Sequence, residues 1–126
     1  MSWYVDSSAI LSTLLEESGG LDLSKILDET PITSRLSRVE VLRTVNKTDL
    51  SLIPRAETLL AQFSIVNMDE AILTRAENYG PSISSKSSDA IHLATAEAVS
   101  SICRGIITLD KKMFADAQKL KLTVYQ

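Results

Sequence analysis

An α/β fold, three-layered with a parallel sheet between helices, is predicted by three features of the sequence. Short apolar runs alternate along the chain with stretches of helical periodicity. The run at Gly105-Ile106-Ile107-Thr108-Leu109-Asp110 is continuously apolar, as a strand buried on both faces is. A similar run, Trp3 to Asp6, starts so near the beginning of the sequence that it must enter the core directly, and both runs end in an aspartate.

Composition bounds the answer before any motif does. The chain has 126 residues, read as one domain, residues 1–126, and 44% of them are apolar. No apolar run approaches a membrane span, and Met1 to Asp6 shows no basic region followed by an apolar stretch, so no membrane or signal segment is expected. The lone Cys103 excludes an internal disulfide and a thiolate zinc site, which fits a cytoplasmic protein. A net charge of −3 rules out nucleic-acid binding through an overall positive field.

The elements follow in order. Trp3 to Asp6 is the first strand, and Asp6-Ser7-Ser8 reads as strand end, turn and helix cap, with the serines capping. Ile10, Leu11, Leu14 and Leu15 mark the first helix, stopped by Ser18-Gly19-Gly20. A short helix over Leu21 to Leu27 comes next, with Leu23, Ile26 and Leu27 inward. Pro31 to Ser34 is a short strand. A long helix from Ser34 to Asn46 follows, its buried side given by Leu36, Val39 and Leu42, with Glu40 at the border. Pro54 opens a helix to Gln62, Phe63 to Asn67 is a strand, and Asp69 caps a helix to Asn78. A serine-rich loop, Ser82 to Ser88, leads into a central helix starting Ser87-Ser88-Asp89-Ala90-Ile91-His92-Leu93-Ala94-Thr95-Ala96. After Gly105 to Asp110 come a helix from Lys112 to Leu120 and a last strand, Leu122 to Tyr125.

The acids carry the functional argument. Ligands of open parallel sheets bind beyond the carboxyl ends of the strands, where Asp6 and Asp110 fall. The central helix starts at that edge, so Asp89 in its first turn approaches both, and Glu40 reaches the same rim. Asp89 shares a helix face with His92, Leu93 and Ala96, so it looks inward and needs a partner. Four converging carboxylates repel unless a cation or protonation relieves them. An all-oxygen ligand set favours Mg2+ or Mn2+, whose work at such sites is phosphoryl chemistry. Ser7, Ser8 and Thr108 are candidates for supporting contacts.

These residues also match a family pattern. Tyr4-Val5-Asp6-Ser7-Ser8-Ala9-Ile10 resembles the opening of PIN-domain proteins, in particular the VapC-type toxins. Ser34 to Arg43, Ser88 to Ala96 and Ile107 to Met113 resemble the family's other motifs, in order and with its spacing. The resemblance implies a parallel sheet of order 3-2-1-4-5 and a metal-dependent endoribonuclease, with the metal acids at Asp6, Glu40, Asp89 and Asp110. It also implies an RNA substrate, a cognate VapB-like antitoxin that blocks the site, and a homodimer. The sequence departs from relatives at Val124-Tyr125-Gln126, which lacks their proline-containing tail.

Other residues read more plainly. His92, the sole histidine, is expected to pack on its helix and be satisfied by a neighbour. Asp116 is expected to be a solvated helix acid, with a peripheral fifth ligand as the sharper alternative. Arg35, Arg38, Arg43, Lys86, Lys111 and Lys112 are candidates for RNA-backbone contacts. A receiver-like magnesium-binding signalling domain would want paired acids after the first strand and an aspartate where Asn67 stands. A PIN-like binding module with an inactive site is the other rival, and the presence of all four acids argues against it.

Overall fold

A computed structural model describes residues 2–15 and 23–125. The sheet has four parallel strands in the order β3-β2-β1-β4. They are β1 (Ser2–Val5), β2 (Ile32–Ser34), β3 (Ser64–Val66) and β4 (Cys103–Ile107). Seven helices surround it among the described residues: α1 (Ser7–Leu15), α2 (Ser24–Leu27), α3 (Arg35–Thr48), α4 (Ile53–Leu60), α5 (Glu70–Glu77), α6 (Ser87–Ala98) and α7 (Lys111–Lys119). A 3-10 turn at Leu50–Leu52 joins α3 to α4. The predicted stop at Ser18-Gly19-Gly20 and the predicted start at Leu21 lie outside the described residues.

The centre of the sheet explains the two-sided core. Tyr4 and Val5 point to opposite faces of β1, and both are fully buried. Val5 joins Ile10, Leu14, Val41, Val45, Leu60 and Ile107 on the face covered by α1, α3 and α4. Tyr4 joins Ile32, Leu93, Ile106, Met113 and Ala117 on the face covered by α6 and α7. The three-layer expectation therefore holds. β3, by contrast, is an edge strand, and its Ser64 and Ile65 are exposed.

Several local expectations need correction. The buried side of α3 is Ser37, Val41 and Val45, not Leu36, Val39 and Leu42; Val39 is 45% exposed. The helix is rotated so that Ser37 meets the hydroxyl of buried Thr33 at 2.7 Å, and a periodicity that counts only apolar residues overlooks that pair. The cap of α1 is Asp6, not a serine, since Asp6 Oδ1 accepts from the Ala9 N–H at 3.1 Å. Likewise Asp110 is the cap of α7, accepting from the Met113 N–H at 2.8 Å, and β4 ends three residues before it. The serines opening α6 lie inside the helix; its cap position is Lys86, which supplies no side-chain bond.

The expected fifth strand shrinks to a single parallel bridge between Ile106 and Val124. Two hydrogen bonds hold it: Ile106 N–H to the Thr123 carbonyl at 2.9 Å, and Tyr125 N–H to the Ile106 carbonyl at 3.0 Å. The segment follows a helix end in which Lys121 takes a left-handed φ of 63°. There the Lys121 and Leu122 N–H groups bond back to the Gln118 and Ala117 carbonyls. Gly105 is what lets the segment dock. A Cβ built there would stand 2.0 Å from the Thr123 carbonyl oxygen.

Gly105→Ala is therefore expected to push residues 122–125 off β4 and destabilise by about 1–3 kcal/mol. Trp3, the only tryptophan, packs edge-on against Tyr125 at a centroid distance of 5.3 Å. Its emission should shift to longer wavelength in the variant. Unaltered emission and melting temperature would show that the chain absorbs the methyl without moving the segment.

Candidate active site

The site is built outward from the ends of β1 and β4. Their register, Val5 opposite Ile107, puts the next residues of the two strands side by side. Asp6 is 1% exposed and is held by three donors. Ser8 Oγ donates to Oδ1 at 2.7 Å, the Ala9 N–H to the same oxygen, and Thr108 Oγ1 to Oδ2 at 2.5 Å. Ser8 and Thr108, expected as supporting contacts, thus support Asp6 itself. They also knit the two strand ends together: Ser8 Oγ accepts from the Leu109 N–H, and Thr108 Oγ1 from the Asp110 N–H. Burial pushes the Asp6 carboxyl above its ordinary value, against the opposing pull of these bonds.

Glu40 arrives from α3 and is fixed from inside the protein. Its Oε1 lies 2.7 Å from Nε2 of His92, on α6. Burial works to raise the Glu40 carboxyl, but the hydrogen bond and charge of His92, helped by Ser7, hold it below the ordinary range. His92 is fully buried and satisfied, as expected, with its second ring nitrogen 2.6 Å from the Tyr4 hydroxyl.

Asp89, in the first turn of α6, completes the group. It is half-buried and has no hydrogen-bond or ion-pair partner among the described residues. Burial raises its carboxyl, then the charge of Asp110, with Asp6 and Glu40 adding to the effect while His92 opposes it. The predicted acids therefore share one field, and Asp89 is where their repulsion collects. They do not form a finished ligand shell: among the described residues no three acid, histidine or cysteine side chains stand close enough to hold a metal as they are. The donor chemistry nonetheless fits a hard divalent cation, being all carboxylate oxygen with one member disfavoured by its like-charged neighbours.

Asp116 is neither solvated nor available as a ligand. It is fully buried on α7, where Oδ2 accepts from the Ser85 N–H at 2.8 Å and from Ser85 Oγ at 2.6 Å. One turn on, Lys119 Nζ donates to the Ser82 carbonyl at 2.8 Å. The last turns of α7 thus pin the loop that delivers Asp89. A signal was present in the sequence: a serine-rich loop needs backbone partners, and an acid on the apolar face of a later helix can supply them.

Among the basic candidates, Arg38 is committed elsewhere, to Glu57 at 2.8 Å. Arg35, Arg43, Lys86, Lys111 and Lys112 are exposed and have no ion-pair partner among the described residues. Beside the acids, a cavity of about 280 Å³ is lined by Thr108, Leu109, Asp110, Lys111 and Phe114.

Residues 3–120 match the PIN domain family. This chain belongs to the PIN-domain family. Ribonuclease VapC35 of Mycobacterium tuberculosis is 30% identical to it over 127 aligned positions, covering 96% of this chain and 93% of its own. The PIN fold here is similar to that of a toxin-antitoxin complex from Klebsiella pneumoniae, with a TM-score of 0.73 at 23% identity and coverage of 99% of this chain and 97% of that one. It is also similar to VapBC-1 from nontypeable Haemophilus influenzae, with a TM-score of 0.71, 15% identity and coverage of 100% and 98%. The resemblance read from the motifs is thus borne out in family and fold.

Two variants test how this PIN site is held. Asp116 has its carboxyl lowered: burial opposes, but the bonds from Ser85 and the charge of Lys119 prevail. Its stabilisation is present above the unfolded pKa and is lost as pH falls through the folded one. Asp116→Asn is expected to cost about 1–3 kcal/mol near neutral pH and progressively less in acid, read by denaturant unfolding. Asp89 has the opposite sign. Its penalty is absent below the unfolded pKa, grows as pH rises, and is complete above the folded pKa. Metal-free Asp89→Asn should melt higher than the parent near neutral pH, and the gap should close by about pH 3. A variant that melts lower would return Asp89 to an ordinary role at a helix start.

Proposed function

We propose that the chain, residues 1–126 as one domain, is a VapC-type toxin: a metal-dependent endoribonuclease neutralised by a cognate VapB-like antitoxin. The observation that carries this reading is the gathering of the acids at the carboxyl edge of a PIN-domain sheet, where Thr108 bonds both Asp6 and the Asp110 N–H and where His92, one turn from Asp89, holds Glu40. The kinship with ribonuclease VapC35 supports the reaction type, and the fold shared with toxin–antitoxin complexes supports the partner. A homodimer acting in the cytoplasm belongs to the same reading; no helix among the described residues is long and apolar enough to cross a membrane.

Asp6, Asp89 and Asp110 are the residues that would hold Mg2+ or Mn2+, with Glu40 as a further ligand, directly or through water. When bound, such an ion neutralises phosphate charge and makes a water nucleophilic near neutral pH. The protein's own groups do the rest. Glu40, ionised and fixed by His92, accepts a proton from the attacking water. Asp6, clamped by Ser8 and Thr108, keeps its position under the load of its neighbours. Arg35, Arg43, Lys86, Lys111 and Lys112 are free to meet the RNA backbone. Attack proceeds in line on the phosphodiester, and the bond to the leaving oxygen breaks as the water oxygen bonds to phosphorus.

Purified protein incubated with total RNA is expected to cleave it with added Mg2+ or Mn2+ and to stop in excess chelator. Asp6→Asn and Asp89→Asn should each lower the rate by at least about a hundredfold. Cleavage that persists in chelator would end the metal mechanism. No cleavage under any condition would favour the inactive binding module.

A further inference from the structure

We propose that Tyr4 and His92 form a positioning pair that orients Glu40 for the reaction, an inference that rests on the nuclease reading above. His92 sits one turn after Asp89 on α6. Its Nδ1 is 2.6 Å from the Tyr4 hydroxyl of β1, and its Nε2 is 2.7 Å from Glu40 Oε1 of α3. One imidazole therefore ties together three elements that each carry or adjoin a site acid. Tyr4 and His92 are both fully buried, whereas the Glu40 side chain remains 29% exposed. The assembly is closed at its tyrosine end and open at its carboxylate end.

Chemistry fixes the donor at the carboxylate end. An ionised carboxylate only accepts, so Nε2 must carry a proton to bond Glu40. At the other end the Tyr4 hydroxyl, fully buried, meets Nδ1 directly. A hydroxyl can donate to a bare Nδ1 or accept from a protonated one, so Tyr4 holds that end of the ring in either form. The Nε2–H in turn fixes one oxygen of Glu40. Partners behind a metal-site or catalytic group commonly set its orientation in this way.

A purely space-filling role does not account for the arrangement. A core position between Tyr4 and Leu93 could be filled by an apolar side chain with no polar tips to satisfy. Instead both ring nitrogens are spent on side chains from other elements, and one of these is a site acid. Glutamate has a long, flexible side chain, and reaction geometry tolerates little wandering. Anchoring Oε1 from inside removes that freedom without occluding the exposed face.

His92 is the only histidine, so a two-bond 1H–15N correlation spectrum carries one imidazole to assign. The metal-free protein is expected to show a proton held on Nε2, and Tyr4→Phe to alter the Nδ1 signal. A bare Nε2 in the parent protein would overturn the assignment. In kinetics, His92→Asn withdraws the donor from Glu40, whereas His92→Gln keeps an amide N–H near the Nε2 position. His92→Asn should lower kcat by about 10–100-fold with KM little changed, and His92→Gln should recover most of the loss. A Mn2+ titration without RNA, followed by melting temperature, should show weaker binding in His92→Asn by a comparable factor. In a Glu40→Gln background His92→Asn should change nothing further. Should His92→Asn not fold, Tyr4→Phe, which removes one oxygen atom, is expected to lower kcat several-fold in its place. Full kcat and unchanged Mn2+ affinity in the folded variants, with Glu40→Gln inactive, would overturn the positioning role. A parent protein that neither cleaves RNA nor responds to Mn2+ would overturn the nuclease reading instead, and is recognised by Glu40→Gln then also having no effect.

Discussion

β1 is buried on both faces, and that constraint organises everything else. A strand so placed has only other strands to satisfy its backbone, and it finds β2 on one side and β4 on the other, both parallel. Parallel neighbours bring their carboxyl ends to the same edge. The register then places Asp6 beside Thr108, and the turn out of β4 brings Asp110 alongside. The crowding of acids is thus a consequence of sheet topology, and the hydroxyls of Ser8 and Thr108 are what make it tolerable at Asp6.

The four acids share one rim but are not equivalent. Asp6 and Asp110 double as helix caps and have local donors. Glu40 has His92. Asp89 has none of these, and it carries the repulsion of the other three. Interactions that secure three members therefore concentrate the strain on the fourth. A group left short of partners in an otherwise satisfied structure is where binding a cation brings the largest relief.

Much of this was legible in the sequence, and the failures share a cause. Continuous apolar runs identified β1 and β4, because a two-sided core demands them. Acids at the ends of those runs pointed to the rim. What periodicity could not read was polar atoms used inside the core. Ser37 turns α3 because Thr33 offers it a hydroxyl, and Asp116 is buried because Ser85 brings it two donors. Asp69 caps α5 as its sequence position suggests, whereas the cap of α1 differs from expectation for a related reason. Serine and aspartate compete for the same N–H groups, and which one wins depends on where the preceding strand releases the chain. The last strand came out shorter than its apolar residues suggested, since only Ile106 offers it backbone bonds.

The same pairing of β1 with β4 has a bearing on folding. Asp6 and its partner Thr108 are 102 residues apart, so the central strand takes a neighbour from far along the chain. Loop closure over such a span comes late in folding, after the local helices have formed. Pairing of β1 with β4, and with it the seat of Asp6 against Thr108, is therefore the long-range step that local helix formation cannot supply.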